Sequence, residues 1–429
     1  MSEVQNMPLV SIVMPTFNRA DTIRRAIASI QAQSVRDWEL IVVDDGSIDD
    51  TAALIAGMDP RLKIIRQENR GSAVARNTGL RQSTGKYIAF LDSDDEWLPH
   101  HLELCLAFLR AHPEEAFVTT IFLEDLGQGR FVNHPGIEIS EWHPSLAKRI
   151  GSHMLDLPAG ETDPYLRVYP SRQPIGEWGQ QIVARTPFRE VFHYSGRIFE
   201  HFRWGFLMGL PPTVMTREAF ETTGFFDTGY YIASDFGYTA QLGRHFRTNF
   251  LSIPSYIKHE LAPAGNRLGE DHLAKGKTQP EFNKDMLRWI EELFWNDRPQ
   301  DRELSELRSH KQFYLAKTDL IHGLRDEALR SLDEAMNNSP ERWQVLSLKL
   351  FVKLIPDPEL CQRAFVTMFK VSYTWELFLR REITIGGIIR KSLKHLLATI
   401  RDFRHSSRKR VEQGSALTPQ RIPKSRQLH

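Results

Sequence analysis

Residues 85–99 read GKYIAFLDSDDEWLP, and the fold turns on this stretch. Lys86 to Leu91 is a run of strand-forming residues, apolar on both faces, that stops at Asp92, Ser93, Asp94 and Asp95. A strand with two apolar faces needs cover on both sides, as a strand inside a parallel sheet has. The same form recurs upstream. Leu9 to Phe17 and Trp38 to Val43 are apolar runs, the second halted by Asp44-Asp45-Gly46-Ser47. Leu62 to Arg66 and Ala116 to Leu123 read as further strands. Between them, Ile23, Ala26, Ile27 and Ile30 fall at i, i+3, i+4 and i+7, one face of a helix. Asp49 to Met58, Gly71 to Gln82 and Leu98 to Arg110 also read as helices. Strands and helices in alternation predict an α/β fold: a mostly parallel sheet with helices on both faces. Ligands bind such sheets beyond the carboxyl ends of the strands, where both acidic groups fall.

Three carboxylates within four residues repel one another, and a hard divalent cation such as Mg²⁺ or Mn²⁺ would relieve that repulsion. Such an ion completes its shell with phosphate oxygens, which points to departure of a nucleoside diphosphate. The same residues also suit a strand-end turn leading into a helix N-terminus. Asp44-Asp45-Gly46-Ser47 has the same two readings, as acceptors for a base or ribose or as a turn with a helix cap.

Composition narrows the class. The chain has 429 residues, 41% hydrophobic and 25% charged, with a net charge of +1, so it is a globular protein of more than one unit and no general polyanion binder. Its two cysteines, Cys105 and Cys361, argue against a disulfide framework or a cysteine-based zinc site. No signal peptide and no membrane-spanning run is evident, so the expected location is cytoplasmic. G-x-G-x-x-G after the first strand, the P-loop and the G-x-S-x-G elbow are all missing, which speaks against a dehydrogenase, a P-loop NTPase and a hydrolase.

Four blocks occur in order: VSIVMPTFNR at 10–19, WELIVVDDGSIDDT at 38–51, ENRGSAVARNTGL at 68–80 and GKYIAFLDSDDEWLP at 85–99. Over about the first hundred residues the chain resembles the family-2 glycosyltransferases, whose GT-A fold is a Rossmann-like sheet. The resemblance implies an inverting enzyme that uses a nucleoside-diphospho-sugar, often a UDP-sugar. It implies that Pro15 and Thr16 line the nucleotide pocket, that Asp45 with Asp44 contacts the base, and that Arg76 approaches the nucleotide while Asn77 and Gly79 shape its helix. Asp92 and Asp94 become the acids of a D-x-D motif, with Ser93 between them in the donor site. Asp94 is then the first metal ligand for Mn²⁺ or Mg²⁺, Asp92 contacts ribose or metal, and Asp95 gives support.

Inversion needs a base that takes the acceptor hydroxyl's proton. The family places an acidic pair after a G-x-F-D segment; here Gly224-Phe225-Phe226-Asp227 is followed by Ala233-Ser234-Asp235. Asp235 is the candidate base, with Ser234 where the family has Glu; Asp235 also suits a helix N-cap. Gln241 to His245 partly matches a Q-x-x-R-W motif with His for Trp, and is read as an ordinary helix of a non-processive enzyme. His259 suits a metal or phosphate site, or a structural histidine.

The expected division is a nucleotide-sugar half at 1–125, an acceptor half at 126–270, a helical region at 280–403 and a disordered basic tail at 404–429. Gly323, Ala328, Ala335 and Pro340 have the spacing of a tetratricopeptide hairpin at about 311–342, or of an ordinary one. Residues 379–403 are basic and amphipathic, fit for a membrane surface or for packing within the domain. The expected partners are a nucleotide-sugar donor, a glycan or glycolipid acceptor, and a membrane or protein at the helical region, with no nucleic acid. Bacterial-type surface polysaccharide or glycoconjugate assembly is the expected setting. The competing readings are a non-catalytic scaffold built on a degenerate transferase domain, and a sugar-nucleotide nucleotidyltransferase.

Overall fold

A computed structural model describes residues 7–125, 131–134, 163–204, 207–231, 233–259, 280–337 and 342–366. The expectations for 379–403 and 404–429 lie outside the described residues. Two compact units result: Met1–Lys277 with Lys284–Asp297, and Thr278–Asn283 with Arg298–His429. The division differs from the one expected at 270–280, because residues 284–297 pack with the N-terminal unit.

The first unit is built on one sheet. β1 (Val10–Thr16) lies between β2 (Trp38–Asp44) and β4 (Tyr87–Phe90), and β3 (Leu62–Arg66) flanks β2, all parallel. Strand periodicity explains why these runs are apolar throughout. Val10, Ile12, Met14, Leu40 and Val42 face helix α1 (Ile23–Gln31), which buries Ile23, Ile27 and Ile30 against them. Ile41 and Val43 face the other way, against Ala75 of helix α3 (Ser72–Gln82). The register sets Thr16 opposite Asp44 and Val13 opposite Phe90, so β1, β2 and β4 end at a common edge. The helix expected at 49–58 shortens to α2 (Thr51–Ile55); Gly57 turns at φ 73° and Pro60 follows.

Beyond β4 the sheet is mixed, which corrects the expectation of a mostly parallel one. β10 (Thr213–Thr216) runs antiparallel between β4 and β6 (Phe117–Asp125). β6 pairs in parallel with β11 (Thr248–His259), and the sheet continues through β9 (Phe192–Gly196) to β8 (Ser171–Pro174). β7 (Phe131–His134) pairs with β6. The two-residue β5 (Glu96–Trp97) follows the acidic turn and pairs with β11, matching Trp97 with Tyr256 and Glu96 with Ile257. This short ladder carries the far end of the chain to the acidic motif. Helices α4 (His101–Ala111), α5 (Glu177–Ala184), α6 (Arg217–Thr223), α7 (Ser234–His245) and α8 (Pro280–Ile290), with short 3-10 turns at Pro164–Arg167 and Phe199–Trp204, complete the described elements up to residue 290.

The second unit contains α9 (Arg302–Ile321), α10 (Arg325–Ala335) and α11 (Arg342–Leu354). Asp301 caps α9 by accepting from the amides of Glu303 and Leu304. Gly323, at φ 77°, turns the chain into α10. Ala316, Ala328 and Ala335 are fully buried between the helices, with Leu332, Val345 and Val352 in the same apolar cluster.

The α3–β1 contact is close. A Cβ at Gly79 would sit 2.4 Å from Val13 Cγ1, on a rigid, buried, β-branched side chain. Alanine at 79 gains about 1 kcal/mol of helix propensity. Overpacking costs about 1–3 kcal/mol and wins. Gly79→Ala is therefore expected to lower the midpoint of chemical unfolding; an unchanged or raised midpoint would contradict this packing.

Candidate active site

The common strand edge carries the first group of candidate residues. Pro15 and Thr16 end β1, fully within the sheet. Asp44 is buried, and its Oδ1 accepts from the amide of Ser47 at 2.9 Å. Its Oδ2 and the hydroxyl of Thr16 opposite it are both buried without a hydrogen-bond partner among the described residues. Arg66 Nε stands 3.7 Å from that Oδ2. Two neighbouring polar atoms left unpaired are costly, and a hydrogen-bonding ligand would recover that cost.

Asp45 has a different task. Its carboxylate accepts from Gln67 Nε2 at 2.7 Å and from the amides of Arg70 and Gly71 at 3.0 and 2.8 Å. It thereby fixes the loop that leads into α3. Gly46, beside it, turns at φ 85° with the Asn69 amide 3.0 Å from where a Cβ would stand.

α3 presents Arg76 to the acidic end of β4. Arg76 is buried, and its Nη2 donates to Asp92 Oδ1 at 2.8 Å. Burial works against this charge, but Asp92 and Asp235 outweigh it and hold the guanidinium above its ordinary pKa. Asp94 lies 3.3 Å from Arg19 Nη2, and its carbonyl accepts from Arg25. Ser93 is buried, its carbonyl accepting from the hydroxyl of Thr22 at 2.9 Å. The D-x-D segment is thus held through its backbone by α1 and the loop before it, and through one oxygen each of Asp92 and Asp94 by Arg76 and Arg19.

Asp95 points inward. Tyr256 donates its hydroxyl to Asp95 Oδ2, and the amide of His259 donates to Oδ1 at 2.9 Å. Burial, reinforced by the charges of Asp94 and Asp92, pushes this carboxyl well above the usual range. The His259 ring lies between Asp125 (Nδ1 to Oδ2, 2.9 Å) and Glu96 (Nε2 to Oε1, 2.6 Å). His259 therefore reaches the acidic turn by its backbone, with its ring engaged by two carboxylates of flanking strands.

Asp235 arrives from 140 residues downstream. It occupies the first turn of α7, half-buried, with Oδ1 accepting from the amide of Phe236. Burial raises its pKa, Arg76 opposes that rise, Asp92 adds to it, and the net direction is up. What delivers it is Asn77: its Nδ2 donates to the carbonyl of Phe226 at 2.9 Å, and its Oδ1 accepts from the Phe226 amide at 2.8 Å. The Phe226 ring stacks on Tyr238 of α7, with centroids 4.0 Å apart. Neighbouring residues Arg76 and Asn77 thus tie both acidic segments to one helix. Tyr256, Asp125 and Gln67 carried no local signal of their place here, while Arg19 and Glu96 stand within the quoted blocks with no role assigned to them.

The donor set suits a hard divalent cation. Asp92 Oδ2 and Asp94 Oδ1 have no protein partner among the described residues, and both side chains reach solvent. No three His, Cys, Asp or Glu side chains among the described residues converge to hold an ion on their own. Ligand oxygens would have to complete the shell.

Asn77→Ala would leave the Phe226 amide and carbonyl unpaired in a buried place, at a cost of about 1–3 kcal/mol for each group. A clear drop in unfolding midpoint is expected, and stability equal to wild type would contradict this role.

Residues 11–171 match the family described as Glycosyl transferase family 2. The UDP-Glc:alpha-D-GlcNAc-diphosphoundecaprenol beta-1,3-glucosyltransferase of Escherichia coli is 43% identical over 103 residues, which are 24% of this chain and 41% of the relative. The putative teichuronic acid biosynthesis glycosyltransferase of Bacillus subtilis (strain 168) is 42% identical over 106 residues, 24% of this chain and 42% of the relative. The chain thus spans less than half the length of these curated relatives. Among solved structures, S. aureus TarS 1-349 in complex with UDP-GlcNAc aligns with a TM-score of 0.48 at 17% identity, over 84% of this chain and 91% of that one. Over residues 11–171, less than half of its 429, the chain is thus similar to the glycosyl transferase family 2 domain.

Proposed function

We propose that the chain is a non-processive, inverting glycosyltransferase. It would move a sugar from a nucleoside-diphospho-sugar, of the UDP class, to a hydroxyl of a glycan or lipid-linked glycan. The observation that carries this reading is the buried Arg76, hydrogen-bonded to Asp92 at the acidic strand end and within electrostatic reach of Asp235. An inverting displacement needs a diphosphate site and a proton acceptor close together, one on each side of the sugar carbon. The acidic strand end and Asp235 supply those two parts. The relatives support the substrate class: the E. coli protein is named for UDP-Glc and for a diphosphoundecaprenol-linked acceptor.

In this reading Thr16 and Asp44 offer their unpaired oxygens to the nucleoside, and Asp45 holds the loop beside it. Asp94 and Asp92 would hold Mg²⁺ or Mn²⁺, with His259 steadying the turn through the Asp95 contact. When bound, the ion supplies positive charge that favours departure of the diphosphate. Asp235 takes the proton of the acceptor hydroxyl as its oxygen bonds to the anomeric carbon. The carbon–phosphate oxygen bond breaks, and its electron pair leaves with the nucleoside diphosphate. A raised pKa makes the carboxylate a better proton acceptor near neutral pH. Ser234, in place of a second acid, leaves Asp235 as the one carboxylate of its turn.

Two expectations test this. A panel of nucleoside diphosphates and nucleotide sugars, with and without Mn²⁺, should give a metal-dependent rise in Tm for one nucleotide, as ligation of the native state requires. Asp94→Ala should lose the metal-dependent part while remaining folded; an unchanged shift in that variant would remove Asp94 from the metal site.

Asp235→Asn should lower transfer by roughly 10²- to 10⁴-fold. Its stability should move the other way. The folded-state pKa of Asp235 lies above its unfolded value, so its favourable contribution is complete below the ordinary carboxylate range. It is lost as pH rises through the folded value. The Asn variant should therefore melt higher than wild type at pH 8, with the gap closing toward pH 4. A variant that transfers normally, or melts lower at pH 8, would contradict the assignment.

A further inference from the structure

We infer that Asp285, assisted by Arg288, is a positioning residue for Asp235; the inference rests on the transferase reading above. The described residues between Asp227 and Ala233 form no helix or strand, and among them the Gly229 amide donates to Asp227 Oδ1 at 2.7 Å. No side chain caps α7, and Ala233 stands at its N-cap. A loop of this kind would leave the next carboxylate free to wander, yet its backbone is held from outside.

The holder is the Asp285 carboxylate. Its Oδ1 accepts from the amide of Tyr231 at 3.1 Å and its Oδ2 from the amide of Ala233 at 3.0 Å. Asp285 is only 5% exposed, so these are buried, charge-assisted bonds, the strong kind. They grip the chain two and four residues before Asp235. Arg288 and Glu292 follow on the same helical face, at i+3 and i+7. Arg288 Nη2 meets Asp227 Oδ2 at 2.8 Å, and its guanidinium lies 4.6 Å from the Tyr230 ring centre. Glu292 accepts from Arg288 Nε at 2.6 Å and from the Tyr230 hydroxyl at 3.3 Å.

Space is matched as well as charge. A Cβ at Gly229 would fall 2.0 Å from Arg288 Nη1, so only glycine lets the guanidinium lie there. The Tyr230 ring packs on Gly237, two residues after Asp235, at 3.2 Å from where its Cβ would be. The Arg288–Asp227 pair is 34% and 49% exposed and screened by solvent, which makes it the weaker member. Asp285 is the principal one. Residues 284–297, with Asp285, Arg288 and Glu292 among them, belong to the N-terminal unit. The catalytic unit therefore includes a helix well beyond the 11–171 family match and beyond β11.

The test uses the full chain without ligand. Hydrogen–deuterium exchange is read at the Tyr231 and Ala233 amides in wild type, Asp285→Ala and Arg288→Ala, with overall Tm as a control. Transfer kinetics are read on the same proteins with the nucleotide sugar that wild type turns over. In Asp285→Ala, exchange at the two amides should speed up, and kcat should fall by roughly ten- to a hundredfold. The KM for the nucleotide sugar should stay within about twofold, because the donor side is untouched. Arg288→Ala should do the same in smaller measure, and decides the matter if the first variant fails to fold. Unchanged exchange overturns the clamp, and faster exchange with an unchanged kcat overturns the positioning role. A wild type that transfers no sugar overturns the transferase reading itself, and the exchange data distinguish that failure from failure of the clamp.

Discussion

A buried guanidinium needs carboxylates around it, and Arg76 is the cation on which this site is organised. It is 6% exposed, bonded to Asp92 and within the field of Asp235. A lone charge so placed would be very costly, as would two acids facing each other without it. Arg76 thus allows acids 143 positions apart to share one edge, since 235 − 92 = 143. Its neighbour Asn77 then fixes the backbone of Phe226, so one helix sets both the acidic strand end and the segment leading to Asp235.

The acids at this edge are not equivalent, and their surroundings sort them. Asp45 is saturated by amides and orders a loop. Asp95 is buried, pushed toward its neutral form and bonded to Tyr256 and His259, a structural role behind the reacting surface. Asp92 and Asp94 keep an oxygen each toward solvent, as a metal or phosphate contact requires. Asp235 is raised but opposed by Arg76, the setting of a group that exchanges a proton. Thr16 Oγ1 and Asp44 Oδ2 are buried without a hydrogen-bond partner among the described residues, with Arg66 Nε 3.7 Å from the latter.

Much of the N-terminal half was legible because its strands are buried on both faces, so composition alone marks them. Val10 to Thr16 and Tyr87 to Phe90 lie where their apolar runs predict. The motif blocks singled out Asp92 and Asp94, and the G-x-F-D segment singled out Asp235; their roles are those of the proposed function. The remainder depends on pairing over long distances, which leaves no local trace. Nothing near Thr213 signals that β10 runs antiparallel beside β4; together with the antiparallel pairings of β9 to β11 and to β8, it makes the sheet mixed. Tyr256 and His259 reach the acidic turn only because β5 pairs with β11. Asp285 looks like an ordinary helix-surface acid until its amide partners are seen. Of the small residues in the hairpin spacing, Ala328 and Ala335 are buried in the apolar cluster of the helical unit.

In the proposed function, a diphosphate site at the acidic strand end and Asp235 as a single proton acceptor would carry out one direct displacement at the sugar carbon. The anomeric configuration of the product reads this out. Proton NMR of the glycoside formed from an α-linked nucleotide sugar should give the β anomer. An α product, or the absence of transfer from every nucleotide sugar offered, would contradict a displacement with Asp235 as its base.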